Sequence, residues 1–186
     1  MLSQFTKEGN HATLGELFDF PKDAYPIGTI DTDSEGLLVI TNDKRLKNKV
    51  LDPLYKIENT YVSQVEGTLS EVTLATLKNG IEISLNGKNS KMIPSKVSEV
   101  INPEIPERNP PIRFRANVPT SWLQMTMIET KNKQIRKMTA AVGNPTLRLI
   151  KTQIGKLVMK GMQPGDVVEY NEPNIYKLIG VSQKLK

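Results

Sequence analysis

Residues 31–36 read Asp-Thr-Asp-Ser-Glu-Gly, with carboxylates at positions 31, 33 and 35 followed by Gly36. Side-chain oxygens at alternate positions ahead of a glycine open a calcium-binding EF-hand loop, but a carboxylate fixed beside a strand can also act as a nucleophile. Calcium would need a bidentate glutamate at the twelfth position and helices on both flanks. Position twelve is Asn42, the residues after Gly36 are the apolar Leu37-Leu38-Val39-Ile40, and Pro26 and Gly28 leave no entering helix. A calcium-binding module is thus the weaker alternative, and no metal is expected. Turn chemistry accounts for Asp33, Ser34 and Gly36. It accounts less well for Asp31, which follows Ile30 directly at the edge of an apolar run, where a carboxylate needs a cationic partner.

Composition narrows the classes further. The 186 residues include no cysteine, which excludes disulfides, thiol catalysis and cysteine-based zinc sites. His11 is the single histidine, which disfavours a histidine relay or cluster. The N-terminus lacks a secretion signal, and no apolar stretch approaches the roughly 18 residues needed to cross a bilayer, so a cytoplasmic protein without membrane contact is expected. The net charge of +5 is unevenly spread. From Arg108 to Lys160 there are eleven Lys or Arg against the single acid Glu129, a net +10, which leaves the remainder at −5. Such a block suits a polyanion, because each phosphate neutralised releases counterions.

The elements that must position these groups are those of a mixed α/β chain forming one domain over 1–186. A short helix is expected over 14–19, a buried strand at 37–40, and a helix at 44–51 capped by Asn42 or Asp43 and stopped near Pro53. Thr60 to Val65 alternates as a strand. A helix over 70–79 has Ser70 as its N-cap and Gly80 as its stop, with Val72, Leu74, Leu77 and Ile81 expected in the core. A hairpin around Asn86-Gly87 and a strand over 94–101 follow. Five prolines make 103–119 an extended connector. Beyond it come a strand over 122–129, with Trp122 expected in the core, and a short helix on Ile135, Met138 and Val142 ending at Gly143. The strand TLRLIKTQI comes next, and GMQPGDVVEY reads as a turn feeding a last strand. The segment 175–186 is a terminal helix or a frayed tail.

Three motifs in order carry a resemblance. GTIDTDSEGLLVITND, NTYVSQVEG and KNKQIRKMTAAVGNPTLRLIK together resemble the small-subunit-type (RsuA-type) family of ribosomal RNA pseudouridine synthases. RNPPIRFRANVPTSWL is similar to an insertion of its E-type branch, which modifies one uridine in domain V of the large-subunit (23S) rRNA. The resemblance implies a pseudouridine synthase catalytic fold, with a largely antiparallel sheet in two halves around a central cleft and no S4 domain. It places the catalytic aspartate at Asp31, the active-site tyrosine at Tyr61 and the basic partner of the aspartate at Arg136. Leu149 is implied as a wall of the uracil pocket, beside Thr29 and Ile30.

Isomerising uridine breaks its N1 glycosidic bond and rejoins the base through C5, a redox-neutral change for which no cofactor is expected. Asp31 is implied as the nucleophile, on C1′ of the ribose or on C6 of the base. Arg136 would keep it ionised and directed, and Tyr61 would stack on the base and assist removal of the C5 proton. Turning a base out of folded rRNA costs a few kcal/mol, which phosphate contacts would offset. The candidates for those contacts are Arg113, Arg115, Lys131, Lys133, Lys137, Arg148 and Lys151. The chain departs from the family pattern at Thr29, where relatives carry an arginine that helps hold the RNA, at Asn59, where a lysine is usual, and in beginning without the usual Asn-Lys-Pro strand. Thr29 motivates an alternative, an RNA-binding protein of the same fold with impaired catalysis. The expected partner is large-subunit rRNA, bound by a monomer.

Overall fold

Local hydrogen-bond chemistry sets the helix boundaries, and a long-range sheet holds the helices together. In the computed structural model, residues 1–85, 87–113, 115–128, 133–159 and 161–183 are described, Leu85 by its backbone alone. The first strands are short: β1 (Tyr25–Pro26), β2 (Glu35–Gly36) and β3 (Ile40–Thr41). Then come α1 (Lys44–Leu51), β4 (Asn59–Glu66), α2 (Glu71–Asn79), the hairpin β5 (Ile81–Leu85) and β6 (Lys88–Met92), β7 (Lys96–Val100) and β8 (Thr120–Met127). The chain continues through α3 (Gln134–Ala141), β9 (Thr146–Ile154), β10 (Leu157–Val158) and α4 (Glu172–Ile179).

Asp43 caps α1 by accepting from the N–H groups of Arg45 and Leu46, and Ser70 caps α2 by accepting from Thr73 N–H at 3.0 Å. Gly80 closes α2 at φ +86°. Asp43 has a second task, since its other carboxylate oxygen accepts from the phenol of the buried Tyr176 on α4 at 2.7 Å. Burial and the neighbouring carboxylate push the Tyr176 phenol up to about 12. Burial acts to raise the Asp43 carboxyl, but the Tyr176 bond, the two amide donors and the Arg45 charge outweigh it and leave the group below its ordinary value. The C-terminal residues up to Ile179 are therefore a docked helix.

The main sheet runs β10-β9-β4-β8-β7, antiparallel throughout, and β2 adds to it in parallel on β9. β10 and β2 share one edge of β9 end to end: β10 pairs at Gln153 and Ile154, β2 at Ile150 and Lys151. β1 with β3 and β5 with β6 form separate two-stranded ribbons. One core packs α2, α3 and the β5–β6 ribbon on the sheet, with Val65, Leu77, Leu123, Met125 and Met138 fully buried. Each such side chain contributes roughly 1.5–3 kcal/mol by leaving water. A second core joins α1, α4 and β10 through Leu46, Ile154, Leu157, Tyr176 and Ile179.

Several expectations change. The strand expected at 37–40 is confined to its last residue: Leu37 to Val39 form a connection whose Leu37 N–H donates to Lys151 C=O at 2.8 Å. The helix expected over 14–19 is a single turn, Leu14–Glu16. Val72 is 75% exposed, because α2 buries the Leu74–Leu77 side and turns Val72 to solvent. Trp122 is only half-buried. No strand forms across GDVVEY, where Val167, Val168 and Tyr170 are exposed. The hairpin turn residue Asn86 and Glu129 lie outside the described residues. Among those described, no helix is long and apolar enough to cross a membrane.

Candidate active site

The segment carrying Asp31 is built as a tight turn pinned at both ends. At its start, Ser3 Oγ accepts from Ile30 N–H and donates to Ile30 C=O, each at 3.1 Å. Ser34 N–H then closes the turn on Asp31 C=O at 2.8 Å. At its end Gly36 lies against Lys151 of β9 so closely that a Cβ would stand 2.2 Å from the Lys151 carbonyl oxygen. Its φ of +112° also belongs to the region that only glycine enters freely. Gly36 is thus required by the approach of two backbones.

Two arginines hold the turn from below. The Arg136 guanidinium donates to Asp33 C=O at 3.1 Å, pairs with the Asp33 carboxylate at 3.3 Å, and reaches Thr146 C=O at 3.2 Å. The expected direct bond from Arg136 to Asp31 is absent: the guanidinium reaches the carboxylate and carbonyl two residues further on, and so fixes the turn that presents Asp31. Among the described residues Asp31 forms no ion pair. Arg148 makes a two-pronged bond to Glu35, Nε to Oε1 at 2.9 Å and Nη2 to Oε2 at 2.7 Å. Its Nη1 donates to Pro106 C=O at 2.9 Å, and Arg108 approaches Glu35 at 3.5 Å. Arg148 is buried and fully engaged here, so its assignment to phosphate binding is corrected. Asp33 and Glu35 are both paired with arginines, which leaves Asp31, among the described residues, as the loop's one carboxylate without an ion pair, fewer than a calcium ion would need. Among the described residues no cluster of potential metal ligands forms.

Above this turn lies a cavity of about 110 Å³, on the scale of the roughly 150 Å³ cavities that hold a benzene ring. Thr29, Ile30, Asp31 and Ser34 line it from the turn, Tyr61 from β4, Leu149 and Lys151 from β9, and Lys133, Gln134 and Ile135 from the start of α3. Asp31, Tyr61, Leu149, Thr29 and Ile30, drawn from three separated motifs, are thus brought together. Arg136 stands behind the wall. Ser34, Gln134 and Ile135 also line the cavity; the sequence pointed to Ser34 only through turn chemistry and to Ile135 only as part of a helical apolar stripe, with no signal for Gln134. A larger cavity of about 760 Å³ shares Ile30, Asp31 and Glu35 but is walled mostly by apolar side chains such as Phe18, Leu38 and Val168. The polar groups able to do chemistry converge on the smaller one.

The expected phosphate contacts divide. Lys133 and Lys151 line the cavity, and Arg113 is exposed. Arg115 is exposed and stands 3.7 Å from Glu66, and the exposed Lys137 donates to Ser84 C=O at 2.5 Å. Lys131 and Lys160 lie outside the described residues.

Comparison with known proteins places this arrangement. The RNA pseudouridylate synthase family model matches residues 2–141, which include Asp31, Tyr61 and Arg136. The ribosomal large subunit pseudouridine synthase E of Vibrio vulnificus (strain CMCP6) is 42% identical over 173 residues, 93% of this chain and 72% of that protein. Its namesake from Xanthomonas axonopodis pv. citri (strain 306) is 40% identical over 88% of this chain and 85% of its own length. A solved pseudouridylate synthase structure shares the fold at TM-score 0.69 and 23% identity, over 89% of this chain and 65% of that one. With its fold, its cavity and these relatives in agreement, the chain belongs to the RNA pseudouridylate synthase family of isomerases.

Proposed function

We propose that this protein converts one uridine in domain V of the large-subunit (23S) rRNA to pseudouridine, acting as a cytoplasmic monomer. The relatives named for the large ribosomal subunit support the substrate class. The observation that carries the mechanism is the convergence of Asp31, Tyr61 and Leu149 on one ring-sized cavity. A flipped uracil seated there would stack on Tyr61 and Leu149, and its glycosidic carbon or C6 would face Asp31. The N1–C1′ bond breaks, the base turns, and C1′ bonds to C5. The C5 proton then leaves, assisted by the Tyr61 phenol, and N1 gains a proton. Atoms and electrons balance without a cofactor. Arg136, through Asp33 and the Asp31–Ser34 turn, holds the nucleophile in direction. Exposed bases such as Arg113 and Arg115 offset the unstacking cost through phosphate contacts.

The test is carbodiimide labelling and primer extension on protein-free large-subunit rRNA from cells lacking the modification. Wild-type protein should create one new stop. Asp31→Asn should create none while its fold and RNA affinity stay near wild type; retained activity removes Asp31 from the nucleophile role. RNA binding by the wild type with no new stop would favour the impaired binder that Thr29 suggests.

A further inference from the structure

Lys151 occupies the point where both halves of the site meet. In the β4–β9 pairing it stands directly opposite Tyr61, just past a register shift between Thr60 and Tyr61. On the other edge of β9 it stands opposite Gly36, at the end of the turn that presents Asp31. Alternation along β9 puts its side chain on the same face as Leu149, and both line the small cavity. Its ammonium lies 5.5 Å from the centre of the Tyr61 ring.

Lys151 is half-buried and, among the described residues, its ammonium has no carboxylate partner. Asp33 is taken by Arg136, and Glu35 by Arg148 and Arg108. The titratable groups that share the cavity with it are Asp31 and Glu35 from the turn, Tyr61 from β4 and Lys133 beside α3. Burial depresses the Lys151 pKa below its ordinary value, so the cation is held at a cost. A half-buried cation that walls a ring-sized cavity, with no carboxylate paired to it among the described residues, is placed to receive negative charge from whatever ring enters.

We propose that Lys151 is a catalytic residue whose ammonium stabilises the negative charge that builds on the uracil ring during isomerisation. The inference rests on the uridine isomerisation proposed above. When the N1–C1′ bond breaks heterolytically, its electron pair stays on the base and spreads over N1, O2 and O4. If Asp31 instead adds at C6, charge builds on the ring and O4 beforehand. Both routes place an anion in the cavity before C5 bonds to C1′. Lys151 keeps its proton throughout and acts by charge alone, worth most in a dry, preorganised site. Tyr61 opposite it handles the C5 proton.

The experiment compares wild type with Lys151→Gln, Lys151→Met and Lys151→Arg in steady-state pseudouridine formation on the rRNA fragment, across pH. The Gln and Met variants should lose on the order of 10²- to 10³-fold in kcat with KM within a few fold. The Met variant should melt no lower than wild type, because it removes a buried charge. Wild-type kcat should fall on the alkaline side as Lys151 loses its proton, below the ordinary 10.5, whereas the Arg variant should keep measurable kcat and lose that limb. Wild-type kcat in the Gln variant overturns the inference. So does a rise in KM alone, which would make Lys151 a phosphate contact, and so does an unchanged alkaline limb in the Arg variant. Wild type that forms no pseudouridine overturns the proposed function and this inference together, whereas active wild type with an equally active Gln variant overturns this inference alone.

Discussion

Replacing Arg148 by Met should loosen the catalytic turn by a calculable amount. The guanidinium makes three hydrogen bonds, two to Glu35 at 2.9 and 2.7 Å and one to Pro106 C=O at 2.9 Å. The side chains are 7% and 24% exposed, so the pair is mostly out of water. Breaking a buried pair from one side costs about 3–5 kcal/mol, because the surviving charge is left uncompensated. Here Glu35 keeps some solvent and has Arg108 at 3.5 Å to turn to, which brings the cost to the bottom of that range or just below it, about 2–3 kcal/mol. For a chain of this size that is a drop of roughly 5–10 °C in melting temperature. Turnover should fall as well, on the order of ten- to a hundredfold, because Glu35 is four residues from Asp31 and the turn loses its anchor to β9. The assay is a double-mutant cycle in urea melts with Glu35→Gln, paired with kcat for each variant. Most of the cost should disappear in the background of the second mutation. Additive losses, or an Arg148→Met protein that melts within about a degree of wild type, would refute the clamp.

Gly36→Ala should be among the most damaging single-methyl additions in the chain, because its Cβ meets backbone at 2.2 Å and no side chain can yield. A loss of at least about 3 kcal/mol is expected, with fast hydrogen exchange at Leu37 N–H as β2 leaves β9. Asp43→Ala should remove the α1 cap at about 1 kcal/mol and strand the buried Tyr176 phenol at about 1–3 kcal/mol more. Since the folded Asp43 carboxyl is depressed below 3.8, its stabilisation is full above that pH and fades as pH falls through the lower folded value. Melts from pH 7 to pH 2 should accordingly show the gap between variant and wild type closing at the acid end.

What could be read from the sequence divides by range. The α1 and α2 boundaries rested on Asp43, Ser70 and Gly80, whose side chains or backbone act within three residues, and the structure places these caps as expected. Arg136 was foreseen beside the catalytic turn, but not its choice of Asp33 over Asp31, which depends on how the turn is rotated. Arg148 looked like one more base in a cationic block. Its burial follows from the parallel pairing of β2 on β9, 115 residues apart, and no local pattern encodes that contact. Val72 and GDVVEY failed for a related reason: apolar residues on a weak helical stripe or in a short run do not reveal whether a neighbour will cover them.

The sharing of one β9 edge by β10 and β2 also governs when the protein becomes competent. Asp31, Tyr61 and Lys151 meet only through pairings that span most of the chain, the kind of contact that folds late because loop closure precedes any gain. Synthesis proceeds from the N-terminus at roughly 5–20 residues per second, so the turn and β4 exist for several seconds before β9 emerges to join them. Until β9 has emerged, a nascent chain therefore has no assembled cavity. Timing is enforced by topology: the site cannot act until β9 has been made and has paired with both β2 and β4.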